Sequence, residues 1–332
     1  MPHTPRRDAL LPHMTSYDEA FSDSGEINWV PYTVFFHPRN HSSPVVNTDR
    51  LGFRYSTDAH GKPVSLADYG GAGPVNLLAG SSTAFGIGAS SDAATLASLL
   101  SEAGPTWLNF GGRSFNAIQE YLLLALHQHL LPSVGEIVLL SGFNNLGLAR
   151  QPASTLGEHG TFFMRGRYER LREQAPTLAS VLLRGQRPDR GEPDPATLPL
   201  DEQIEFAVQT TGRALELWTV LARHLGARLT FVLQPLANWV RETPCPEEAK
   251  IFSELDEVGG FTETYGDILS VDAHTRYSRG LERIADDLGI RYVDSAPIFA
   301  GSLKPDDWAY VDRIHLTDEG HRRFADLLSA AI

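Results

Sequence analysis

The chain has 332 residues, 42% of them hydrophobic and 21% charged, which is ordinary globular composition for one large domain or one domain with insertions. Its 41 acidic residues outnumber 28 basic ones, giving a net charge of −13 without any basic cluster, so nucleic acid and anionic membranes are excluded as main partners. A single cysteine, Cys245, rules out an internal disulfide and a cysteine zinc site, and its neighbours Pro244 and Pro246 suggest a loop thiol.

The amino-terminal stretch carries Arg6-Arg7, but Pro12, His13, Asp18 and Glu19 break any apolar run behind it. No later stretch nears the ~18 apolar residues of a membrane span. The expected location is therefore cytoplasmic. Residues 1–73 are read as an arm, with aromatics at Trp29, Tyr32, Phe35 and Phe36 that need a surface to pack on. Asn47–Arg54 suggests a turn and a short extended piece, and Gly70, Gly71 and Gly73 with Pro74 form a breaker.

From Val75 the rhythm changes. Short apolar runs at 75–79, 106–110, 136–140, 228–234 and 290–293 read as buried strands. Helical spacing separates them, over 92–100, 115–131, 202–225 and 271–288. In the second of these helices Ile118, Leu122, Ala125 and Leu126 are taken as one apolar side. Strand, Gly-containing turn and helix in repetition predict an α/β fold. It is a three-layer, flavodoxin-like parallel sheet of about five strands with helices on both faces. Residues 149–200 interrupt the rhythm and are read as a cap-like insertion, with a helix over 168–183 and a loose loop over 184–199. Residues 74–332 otherwise form the main domain.

Ligands bind such sheets at the carboxyl ends of the strands, where three Gly-containing turns fall. Ser82 follows the first strand, between Gly80 and Gly86, at a helix start where backbone N–H groups gather. A plain helix-capping turn fits the same residues. Near the other end, Asp312 precedes His315 by three residues, and Thr317 can cap the helix that follows. A serine hydroxyl needs a base, and the base needs a carboxylate to fix its tautomer. A surface His beside a capping Asp has the same spacing. Asn144 suits an oxyanion donor and equally a loop cap. His127 and His129 point to different helix faces, and His315 and His321 lack the spacing of a zinc pair, so no metal and no cofactor is expected. Trp107, Trp218 and Trp239 read as packing residues.

Taken together, four segments resemble the SGNH (GDSL-like) hydrolase family, in family order and over Val75–Ile332. Gly80-Ser81-Ser82 matches the first motif, with Ser82 in the nucleophile's place. Asn109-Phe110-Gly111-Gly112-Arg113-Ser114 matches the second, with Ser114 where a glycine is expected. Gly142-Phe143-Asn144-Asn145 matches the third and Asp312-Arg313-Ile314-His315 the fourth. The Gly-Phe-Arg of Asn47–Arg54 is similar to segments ahead of the core in some bacterial members. The resemblance implies attack by Ser82 on an ester-type carbonyl, His315 as base, and Asp312 as its orienter. It also implies an oxyanion hole of the Ser82 and Ser114 N–H groups and the Asn144 amide. Arg113, beside that hole, is the candidate for a substrate anion. The implied activity is an esterase or deacylase acting on a small acylated molecule. An acyltransferase or thioesterase uses the same triad, and a non-catalytic binding module is the rival from another class.

Overall fold

The computed structural model describes residues 6–21, 27–71, 73–174 and 197–332. Five strands form its central sheet: β1 (Val75–Gly80), β2 (Trp107–Gly111), β3 (Val134–Ser141), β4 (Arg228–Leu233) and β5 (Arg291–Asp294). All neighbours pair in parallel, in the order β2-β1-β3-β4-β5. This is the flavodoxin-like winding, whose order reverses between β1 and β3.

Ten helices matter for the site: α1 (Met14–Phe21), α2 (Ser82–Phe85), α3 (Leu96–Ser101), α4 (Ala117–His127), α5 (Phe143–Leu148), α6 (Leu200–Leu225), α7 (Pro246–Gly259), α8 (Val271–Leu288), α9 (Ser295–Ser302) and α10 (Asp318–Ala331). Helices α4, α5, α6 and α8 pack on one another, and so do α3, α9 and α10. A sheet covered on both faces has no solvated side, which is why β1 and β3 read as nearly continuous apolar runs. Leu77, Leu78, Ile137, Val138, Phe231 and Val232 are all fully buried. So are Trp218 and, almost fully, Trp107 and Trp239.

The buried side of α4 differs from the sequence reading. Ala117, Glu120, Leu123 and Leu124 face inward, while Ile118, Leu122 and Ala125 are half-buried and Leu126 is exposed. A glutamate sits in the middle of the inner face and disguises it. Glu120 accepts a hydrogen bond from Ser141 Oγ at 2.9 Å, and burial pushes its carboxyl up to about 8. His127 is half-buried with its ring edge-on to Phe53 at 5.0 Å. Cys245 is buried and caps α7.

The arm folds against this core. Asn28–Val30 pairs antiparallel with Val34–Phe36, and Phe35 and Phe36 pack on Phe115. Of the helix expected over 168–183, the described part belongs to a helix Arg165–Gln174, and residues 175–183 with most of the loop expected over 184–199 fall outside the described residues. Tyr168 packs on Trp29 at 5.8 Å, so the insertion touches the arm. Among the described residues, no helix is long and apolar enough to cross a membrane.

Candidate active site

Ser82 is the first residue of α2, directly after β1. Its N–H therefore lacks an acceptor within the helix and points out of the helix start. The neighbouring Ser81 turns inward and donates to Gln234 Oε1 at 2.9 Å, which separates the roles of the two serines. Helix α2 lies so close to β2 that a Cβ on Gly111 would sit 2.1 Å from the Phe85 nitrogen. Only glycine admits that approach.

After β2 the chain makes a tight turn. Phe115 N–H donates to Gly112 O at 3.1 Å, closing four residues with Ser114 third. Ser114 has φ of +59°, the left-handed conformation a type II turn demands at that position and usually gives to glycine. The serine takes on the shape expected of the glycine it replaces, at a backbone cost of roughly 1–2 kcal/mol. The turn is pinned at both ends. Gly112 N–H donates to Gly80 O at 2.8 Å, and the Asn144 amide donates to Phe115 O at 2.7 Å. Asn144 lies in the first turn of α5, and its amide carries a second hydrogen beyond that bond.

The third part is the loop before α10. His315 Nε2 lies 2.7 Å from Ser82 Oγ, and His315 Nδ1 lies 2.7 Å from Asp312 Oδ2. The other Asp312 oxygen accepts the N–H groups of Ile314 at 2.7 Å and His315 at 2.8 Å. Burial alone would raise this carboxyl, but the His315 ring and these hydrogen bonds outweigh it and hold Asp312 below the usual carboxylate range. An ionised Asp312 makes Nδ1 the protonated ring nitrogen and leaves Nε2 free to accept the serine proton.

The loop is held from behind by a residue the sequence did not single out. Glu248, buried on α7, accepts the N–H groups of Ala309 and Tyr310, each at 3.0 Å. It also pairs with Arg241 at 2.5 Å. Arg313 points away from the cavity to Asp256 at 2.6 Å, and Thr317 caps α10 by accepting Gly320 N–H at 3.0 Å.

From the core, Ser82, Arg113, Ser114, Asp312 and His315 line one cavity of about 400 Å³. The sheet order, with helices on both faces, makes this a three-layer, flavodoxin-like parallel α/β fold. No protein-family model matches the chain, and no curated protein matches its sequence. Solved structures similar to it include a member of the lipolytic G-D-S-L family from Veillonella parvula. That one has 11% identity and a TM-score of 0.45, covering 78% of this chain and 98% of its own. A lipase/acylhydrolase from Enterococcus faecalis has 11% identity and a TM-score of 0.43, covering 78% and 94%. The acetyl xylan esterase AlAXEase has 14% identity and a TM-score of 0.41, covering 77% and 98%.

The remaining wall comes from the arm. Arg7, Met14, Tyr17, Asp18 and Phe21 line the same cavity, with Ile87 beside them. Among the described residues, none from 149–174 lines it. The Arg113 guanidinium lies over the Phe21 ring at 5.4 Å, at the cavity edge.

Arg54 ties the arm to the loop behind Ser82. Fully buried, it pairs with Asp92 at 2.8 Å and donates to Tyr17 Oη at 3.0 Å, Gly86 O at 2.8 Å and Val45 O at 2.9 Å. Tyr17 in turn donates to Gly86 O and Ala89 O, at 2.9 and 2.6 Å. The end of α2 is thus held by two arm side chains. The only sequence signal for this was the Gly-Phe-Arg piece.

Proposed function

We propose that the protein is a serine hydrolase that cleaves a carboxylester or O-acyl group through an acyl-enzyme on Ser82. The observation that supports this best is the continuous hydrogen-bonded line from Ser82 Oγ to His315 to Asp312, opening into the cavity. In this reading residues 74–332 are the catalytic domain and residues 1–73 complete its pocket.

Ser82 Oγ attacks the carbonyl carbon while its proton passes to His315 Nε2. The tetrahedral oxyanion is received by the N–H groups of Ser82 and Ser114 and by the second Asn144 amide hydrogen. The C–O bond to the alcohol breaks, and the departing oxygen takes the proton from His315. Water then repeats the sequence and releases the acid. Asp312 stays ionised and balances the charge on the imidazolium. The acyl group is assigned to the wall of Met14, Phe21 and Ile87, and Arg113 to the rim where an anionic alcohol portion would lie.

The test is a series of p-nitrophenyl esters from acetate to decanoate, with the wild type and Ser82→Ala. Turnover by the wild type and its loss in the variant is the expected result. A folded wild type without turnover on any member contradicts the proposal. Acceptor alcohols added to the same series separate hydrolysis from acyl transfer, because transfer diverts the acyl group into a new ester.

A further inference from the structure

The Ser114 turn poses a physical question. A serine with positive φ relaxes by rotating its central peptide, which would swing the Ser114 N–H away from the cavity. Such conformations persist only where the surroundings over-determine them. The contacts of Gly112 and Phe115 hold the two ends of the turn. Its second residue, Arg113, is held by something outside the core.

That group is His37, in the arm. His37 Nδ1 lies 3.1 Å from Gly52 O, and His37 Nε2 accepts the Arg113 N–H at 3.0 Å. A carbonyl can only accept, so Nδ1 carries the proton and Nε2 offers its lone pair. The ring is buried against Phe85 at 4.1 Å and Phe36 at 4.4 Å, with Phe21 edge-on at 5.7 Å. Gly52 itself belongs to a turn tied by Asp49, whose Oδ1 accepts the N–H groups of Leu51, Gly52 and Phe53 between 2.8 and 3.0 Å. The chain of restraint therefore runs from Asp49 through Gly52 and His37 to Arg113.

We propose that His37 is a positioning residue of the oxyanion hole: it fixes Arg113 from the arm and so keeps the Ser114 N–H aimed into the cavity. The role rests on Ser82 being the nucleophile. Burial, together with the nearby Arg113 and Arg54, pushes the His37 imidazole down to about 3, so Nε2 keeps its lone pair at neutral pH. His37 touches neither substrate nor the reacting atoms. Its effect travels through the turn.

His37→Phe keeps the ring and removes the acceptor. His37→Gln keeps an acceptor at the reach of Nε2. For the Phe variant kcat is expected to fall about 10- to 100-fold, part of what loss of a whole oxyanion donor costs, with KM within about threefold. The Gln variant is expected to stay within about fivefold of wild type, because the hydrogen bond is remade. Ser114→Gly placed on His37→Phe is expected to recover at least about fivefold, since glycine holds positive φ without strain. A merely structural role would show in thermal melting and would not respond to the glycine. Should His37→Phe not fold, His37→Asn serves, because its side chain reaches Gly52 and not Arg113. A folded variant lacking the acceptor whose kcat stays within about twofold of an active wild type overturns the proposal. So does a loss that neither Gln nor Ser114→Gly relieves. A wild type inactive on every ester removes the nucleophile itself and this role with it.

Discussion

The loops at the carboxyl ends of the strands and the amino-terminal arm both shape the cavity, but they are built differently. Asp312 and His315 are three residues apart, and the carboxylate receives two backbone N–H groups from its own loop. Their geometry is largely local. In the arm, Arg54 reaches Asp92 and Gly86, Tyr17 reaches Gly86 and Ala89, and His37 reaches Arg113. Those partners are 32 or more residues away, and most of the side chains are buried. In the proposed reading the loops carry the chemistry with short-range contacts, and the arm fixes where the loops stand. Damage to the loops should remove the reaction and spare the fold. Damage to the arm should do the reverse or affect both.

The largest expected effect is in the loops. His315→Ala is expected to lower kcat by at least about 10³-fold, with thermal stability changed little. Steady-state kinetics beside a melting curve checks this, and a variant that is active or unfolded breaks the comparison. Next is Arg54→Met, which leaves the Asp92 carboxylate unpaired and strips acceptors of their donor. A stability loss of roughly 3–5 kcal/mol is expected in urea unfolding. A change under about 1 kcal/mol would mean the arm does not brace the core.

The third concerns the core beneath the turns. Glu120 is protonated in the folded state up to about pH 8, while an ordinary glutamate ionises near 4.5. Between those values the unfolded chain has lost a proton that the native state keeps, so stability falls as pH rises through that window. The expected slope is up to about 1.4 kcal/mol per pH unit. Glu120→Gln should flatten it, as read by urea unfolding from pH 5 to 8. A wild type equally stable across that range contradicts the buried, protonated state. Smallest is Phe21→Ala on the arm wall. It is expected to shift the preferred acyl chain longer, changing kcat/KM between short and long esters roughly 10-fold. An unchanged preference would remove Phe21 from the acyl wall.

The same contrast explains what could be read in advance. The sheet was legible because strands covered on both faces form unbroken apolar runs that end in glycine turns. The four site segments stood out only together, through their resemblance to one family's motifs, since Asp312 before His315, or Ser82 between Gly80 and Gly86, fits a helix cap equally well when taken alone. The arm left little trace, since Asp92 and Gly86, which Arg54 reaches, and Arg113, which His37 reaches, are distant in sequence and nothing in a lone Arg or His announces them. Glu120 misled for a different reason. A charged residue type marks a helix surface unless its carboxyl is neutral, and neutrality is a property of the packed core. Ser114 in place of glycine was a departure visible in the sequence, and its positive φ is the conformation a glycine takes there without strain.

The central claim is that Ser82 is a nucleophile activated by His315. Labelling with a fluorophosphonate probe, followed by intact mass and peptide mapping, tests it most directly. One adduct on Ser82 is expected, absent in Ser82→Ala and formed at least about 10²-fold more slowly in His315→Ala. A folded wild type that forms no adduct, or carries it on another residue, contradicts the account.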